Sequence, residues 1–167
     1  DYDLAIDPFL NLFARGNTND GGGWDIRLNH FVAGGKYGYP SLFRNFGDEV
    51  IAPLADYGGG SGTGMLFVQD PGLPAPFGDT LYSVDWGTNF IYRHPLQPRG
   101  ATFSAGQEVF LGLPRPTDFV LDGGSRLPAQ VGRLGSSLGH RHIDDIGIPV
   151  IERGDGRQLR SAVGLDR

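Results

Sequence analysis

The chain has 167 residues, 39% of them hydrophobic and 20% charged, enough for one domain with a core of its own. With 14 basic against 19 acidic residues its net charge is -5, which argues against a phosphate-backbone partner, because that binding needs clustered Lys and Arg. The absence of cysteine excludes disulfides, thiolate metal sites and c-type haem attachment within these residues, and no run approaches the roughly 18 apolar residues of a membrane helix.

The opening DYDLAIDPFL reads as the interior of a folded protein and carries no charged-then-apolar leader, so a removed signal or a longer parent is expected. Residues 4–6 are a short apolar run, closed by the turn Asp7-Pro8-Phe9-Leu10, and residues 11–15 are a second run. Residues 17–40, NTNDGGGWDIRLNHFVAGGKYGYP, combine a polar loop, three glycines, a strand and an aromatic turn. Within the strand, residues 25–32, Ile26, Leu28, His30 and Val32 share one face and Arg27, Asn29 and Phe31 the other. Residues 50–54 read as an edge strand interrupted by Pro53.

The pattern then restarts, with strands expected at 64–69, 80–86, 89–96 and 107–111 around a turn-rich link and Gly87. A third round opens at Thr117. Asp118 and Asp122 repeat the spacing of Asp3 and Asp7, and Leu12 and Leu127 each follow the second aspartate by five residues. This internal repeat of strand, turn and strand, at a spacing of about 55 to 60 residues, is a little longer than the kelch period. Four short strands per repeat with glycine turns and no helix predict an all-β fold. The expected architecture is a partial β-propeller of about two four-stranded blades plus the start of a third, from a six-bladed parent; a β-sandwich is the alternative.

The propeller is assigned to residues 1–127 and an atypical tail to 128–167. All 19 aromatic residues precede residue 120, whereas seven of the 13 arginines follow it. The repeat requires a strand after Leu127, but the chain gives Pro128-Ala129-Gln130. A disordered polar linker, a diverged segment and a stretch translated out of register are all compatible. Joint loss of aromatic and strand patterning at one point favours the last.

Several groups invite chemistry and are also explained by structure alone. Asp20 and Asp25 around three glycines match no EF-hand spacing and read as a solvated turn. His30 reads as a hydrogen-bonded core or channel residue, and His94, before Pro95, as an exposed strand tip. His140, His142 and Asp144 would share a strand face able to grip a metal but lie in the tail. Trp86 and Tyr37 would stack on a sugar or pack between blades. The glycine-rich residues 58–62 lack the Lys-Ser/Thr pair of a nucleotide loop and read as a connection between blades.

Three motifs in order resemble glucose/sorbosone dehydrogenase-like propellers. Leu28-Asn29 followed by Gly34-Gly35-Lys36-Tyr37-Gly38-Tyr39-Pro40 resembles that family's I-N-x-hydrophobic strand and G-x-N-Y-G-W-P turn. Ser61-Gly62-Thr63-Gly64-Met65-Leu66-Phe67 is similar to its P-S-G-hydrophobic-x-F strand and is followed by Phe77-Gly78-Asp79-Thr80-Leu81-Tyr82 and Ile91-Tyr92-Arg93. Arg115-Pro116-Thr117-Asp118 stands where the family has R-hydrophobic-R-D. The variant Arg27-Leu28-Asn29-His30 is similar to a bacterial L-sorbosone dehydrogenase-like subgroup built into secreted proteins beside haem-binding domains.

The resemblance implies oxidation of a sugar hydroxyl or aldehyde by hydride transfer to pyrroloquinoline quinone, held against calcium, with periplasmic or extracellular placement. By it, the carbonyls of Gly16 and Asn17 hold the metal and so border the cofactor, and Arg115 binds a cofactor carboxylate; backbone carbonyls suit calcium. The implied partners are a small-molecule sugar, the remaining blades and haem-binding domains of the parent, with no nucleic acid. The chain departs from the pattern at Asn17 in place of proline, Thr117 in place of a second arginine and Gly87 where a basic residue is usual. No histidine matches the catalytic base, which the family carries on an earlier blade.

Overall fold

The computed structural model describes residues 3–16, 26–37 and 46–121, and the backbone of 129–131. Two antiparallel four-stranded sheets follow one another along the chain. The first contains β1 (Ala5–Ile6), β2 (Leu12–Arg15), β3 (Arg27–Phe31) and β4 (Ala55–Asp56) in that order. The second places β5 (Gly62–Gln69), β6 (Asp79–Asp85), β7 (Phe90–His94) and β10 (Glu108–Gly112) side by side. Between β7 and β10 the chain makes a separate hairpin of β8 (Leu96–Arg99) and β9 (Thr102–Ala105). A third sheet begins with β11 (Pro116–Phe119), paired to β12 (Ala129–Val131). First strands are neighbours, β1 against β5 and β5 against β11. Successive four-stranded meanders stacked in this way are the blades of a β-propeller, and the chain is an all-β partial propeller.

Alternation decides which side chains meet between sheets. On β6, Leu81, Ser83 and Asp85 point to one face and Tyr82 and Val84 to the other, yet all five are buried. A strand sandwiched on both faces cannot show the polar-out pattern of a surface sheet. Ala5, Phe13 and Leu28 from the first sheet meet Met65 and Leu81 of the second. On the far side Val68, Tyr82, Val84 and Ile91 meet Leu113 and Phe119. Each fully buried Leu or Val contributes about 1.5–3 kcal/mol, so these two layers hold the stack together.

The repeat is visible as a recurring turn after β1 and after β5. Asp7 Oδ1 accepts the N–H of Phe9 at 2.9 Å and of Asn11 at 2.8 Å, while its carbonyl accepts that of Leu10 at 3.0 Å. Asp70 does the same in the second sheet, receiving Gly72 at 2.7 Å and, on its carbonyl, Leu73 at 3.1 Å. Pattern matching related Asp7 to Asp122, which lies outside the described residues; Asp70 is the intervening member it missed.

Two strand expectations are corrected. The edge strand expected at 50–54 forms instead at Ala55–Asp56, because Pro53 has no N–H; Leu54 makes the first bond to Leu28 O, at 2.7 Å. The strand expected at 89–96 stops at His94, and Leu96 joins the hairpin. Just past Pro128, where the sequence pattern breaks off, the backbone of Ala129–Val131 pairs with β11. Backbone pairing does not need the apolar side chains that the pattern lacked. Residues 132–167, with His140, His142 and Asp144, lie outside the described residues, as do Asp20 and Asp25.

Candidate functional site

Gly16, residues 57–61, 86–89 and 113–115 follow β2, β4, β6 and β10, and antiparallel order brings them to one end of the stack. Asp85, the last residue of β6, organises this end. Its Oδ1 accepts the N–H groups of Ser61 at 2.9 Å and of Gly87 and Thr88 at 3.0 Å. Its Oδ2 takes Arg15 Nη2 at 2.8 Å. The carboxylate is thereby occupied in fixing the loops rather than left for a ligand.

Close approach explains two glycines here. A Cβ on Gly62 would lie 2.7 Å from Gly16 O and 3.0 Å from Arg15 Cγ, so only glycine lets β5 start this close to the end of β2. A Cβ on Gly87 would lie 3.1 Å from Ser61 N, which leaves no easy room for the basic side chain usual at this place in the resembled family.

Arg115 stands in a distinct setting. Its φ of 50° lies in the left-handed region, and its N–H donates to Asn89 Oδ1 at 2.9 Å. Asn89 also accepts the N–H of Leu113 on its carbonyl at 2.9 Å, so one residue clamps both ends of the 113–115 loop. The guanidinium carbon of Arg115 lies 5.0 Å from the centre of the Trp86 ring. No carboxylate among the described residues forms a salt bridge with it, and the residue is exposed. Trp86 is in turn tied by its N–H to Ser61 O at 2.9 Å.

Gly16 and Arg115, singled out from sequence, are therefore on the same end of the stack, connected through Gly62, Ser61 and Trp86. Asn17 lies outside the described residues. Thr117 is on β11 and brings no charge to the end. Trp86 and Asn89 are the site residues that sequence reading did not connect to Arg115. The signal available for Asn89 was its place in a turn after Gly87, where asparagine accepts a positive φ, here 64°.

Beneath this end lies a buried polar chain. Arg15 lies 5.0 Å from the ring centres of both Tyr57 and Tyr92 and donates from Nη1 to Gln107 Oε1 at 2.6 Å. Its Nη1 also reaches Ser83 Oγ at 3.4 Å. Ser83 Oγ lies 2.7 Å from His94 Nε2, and His94 Nδ1 lies 3.0 Å from both Gly106 O and Tyr57 OH. Burial, then the Arg15 charge, lowers the His94 pKa to about 3, against a smaller opposing effect of its bond to Gly106. The neutral ring with Nδ1–H donating to Gly106 O leaves Nε2 to accept the Ser83 hydroxyl. Burial also raises the Tyr57 pKa, partly countered by Arg15.

His94 was expected at an exposed tip and is instead fully buried. The chain turns back after Pro95 through the β8–β9 hairpin and closes with Gly106 N on Pro95 O at 3.0 Å, covering the ring. Ser83 and His94 have nucleophile-base spacing, but both are at 0% exposure, so the pair serves packing rather than chemistry.

His30 is buried, as the core reading requires, with Nδ1 2.9 Å from Thr102 Oγ1 and its ring against Phe13 and Phe103. Tyr37 packs on Phe31 and bonds Val32 N and His30 O through its hydroxyl. Residues 58–62 join β4 to β5, as a connection between blades should. A cleft of about 430 Å³ at the opposite end of the second sheet is lined by Asp70, Leu73, Pro76, Asp79, Arg93 and Pro95, among others. Among the described residues no group of three His, Asp or Glu side chains could hold a metal.

The fold and this end define a piece of a β-propeller. Among solved structures, an oxidoreductase of Thermus thermophilus, assigned as a glucose dehydrogenase, superposes with a TM-score of 0.64 at 21% identity. The match covers 81% of this chain and 41% of that one, so the fold is glucose dehydrogenase-like and the chain spans less than half the length of that structure. No protein-family model and no curated protein matches the chain.

Proposed function

We propose that the protein is a sugar dehydrogenase-like propeller that binds pyrroloquinoline quinone and calcium and oxidises a sugar hydroxyl or aldehyde. The observation that carries this reading is Arg115, an exposed guanidinium against Trp86 without a carboxylate from the described residues, on the same end of the stack as Gly16. A cation in this state suits a cofactor carboxylate, and a backbone carbonyl suits a hard cation. Both residues fit the group. Gly16 would offer its carbonyl to calcium and Arg115 would bind a carboxylate; when bound, the quinone accepts a hydride. Asp85 and Arg15 keep the loops in place beneath them. The likeness to the Thermus oxidoreductase favours a sugar as substrate.

On this reading the remaining blades and the catalytic base belong to a longer parent of six blades, placed in the periplasm or outside the cell and joined to haem-binding domains. A second reading, a non-catalytic docking propeller, is favoured by Gly87 and Thr117, which supply no charge to the cofactor. The full-length protein, loaded with calcium and the quinone, should bind the quinone and reduce a dye with aldoses. Absence of quinone binding would overturn the enzyme reading and leave the docking module.

A further inference from the structure

We infer that Trp86 and Asn89 act together to present Arg115 as a preorganised receptor for a carboxylate on an incoming ligand. Arg115 occupies a left-handed backbone conformation, φ 50°, that an arginine rarely adopts without a reason in its surroundings. The reason on its main chain is Asn89, which takes the Arg115 N–H on Oδ1 and the Leu113 N–H on its carbonyl. The reason on its side chain is the indole of Trp86, 5.0 Å from the guanidinium carbon. The ring supports the cation from one side, and the planar fork of N–H groups on a guanidinium is the part that matches a carboxylate.

Contrast with the other arginines sharpens the assignment. Arg15 is bound to Asp85 and Gln107, Arg27 faces Asp56 and Arg93 faces Glu108. Arg99 and Arg115 form no salt bridge with a carboxylate among the described residues, and of the two Arg115 lies on the end that holds Gly16. The aromatic ring also bears on the departure at Gly87: where an added Cβ would crowd Ser61, the neighbouring Trp86 contacts Arg115 instead. Rotamer entropy lost before binding is not lost again on binding, so a stacked arginine binds a carboxylate more tightly than a free one.

The inference deepens the quinone reading but rests on it only for which molecule bears the carboxylate. Calorimetric titration of the 167-residue chain with benzene-1,3,5-tricarboxylate, and separately with pyrroloquinoline quinone, separates the two. The tricarboxylate should bind, more weakly as salt is raised, and Arg115→Gln should abolish the heat. Trp86→Leu should weaken binding about 5-fold and Trp86→Tyr should restore it to within about 2-fold, because tyrosine keeps the ring face. Asn89→Ala should weaken it as well, with sheet circular dichroism retained.

Tricarboxylate binding without quinone binding removes the quinone and keeps the receptor. No binding of either, or unchanged binding in Arg115→Gln, overturns the inference. Equal affinities for Trp86→Leu and Trp86→Tyr overturn the positioning role. If Trp86→Leu unfolds, Arg115→Gln and Trp86→Tyr still decide.

Discussion

Arg15 Nη2 lies 2.8 Å from Asp85 Oδ2, with 2% and 0% of the two side chains exposed, so the last residues of β2 and β6 form a buried ion pair between neighbouring sheets. The desolvation of both charges is offset by good geometry and by further bonds to Ser61, Gly87, Thr88 and Gln107. Arg15→Met strands the Asp85 carboxylate among backbone donors without its counter-charge. Urea unfolding should show a loss of about 3–5 kcal/mol, with the slope unchanged.

Acid should destabilise the protein through His94. Its folded pKa is lowered to about 3 from an ordinary 6.5, so between these values the unfolded chain binds a proton that the folded chain does not. Stability therefore falls as pH drops through this window, by at most about 1.4 kcal/mol per pH unit for one group. His94→Gln should be less stable at pH 7 yet show a shallower fall from about pH 6.5 to about pH 4. An equal slope in both proteins would show that His94 is protonated in the fold.

Adding one methyl should separate glycines that seat neighbouring backbone from those that do not. Gly62→Ala drives a Cβ against Gly16 O, a backbone atom that cannot swing away, whereas the same change at Gly112 meets Phe90 ring atoms at 3.5 Å or more. Thermal melts should place Gly62→Ala about 1–3 kcal/mol below the parent and Gly112→Ala close to it. The first variant should also alter any calcium-dependent shift in melting, since it displaces the Gly16 carbonyl.

The outer face of β1 should make the chain self-associate. Leu4 and Ile6 are 53% and 55% exposed, while Ala5 between them is buried against the second sheet. Ile6 lies opposite Leu12 and Leu12 opposite Phe31, giving an apolar row across three strands. Ile6→Lys should shift the sedimentation profile toward monomer; a parent that is already monodisperse at high concentration would contradict this.

Much of the fold was legible because strands announce themselves locally. Alternation in residues 27–31, glycine turns at 58–62 and 87, and the Arg115-Pro116 boundary are all set within a few residues, and each has its counterpart in the structure. Asp3 and Asp118 were legible as equivalents because turn chemistry recurs at fixed offsets, whereas Asp70 was hidden by a longer loop behind it. His94 was misplaced because its cover comes from a hairpin beyond Pro95, and nothing local marks a histidine as covered. Arg115 was found through motif position, but its relation to Trp86 and Asn89 was not, since those residues lie more than twenty positions earlier.

By itself, then, the sequence determined that the chain is built of short antiparallel strands joined by tight turns, since backbone preference and alternation act over a few residues. Only the tertiary structure decided which polar side chains would be paired inside and which left outside. Arg15 and Asp85 are 70 positions apart and neutralise each other in the core; Arg115, equally charged, lies against an indole and forms no salt bridge among the described residues. Charge pairing across blades depends on stacking geometry, and stacking geometry is written in no single segment.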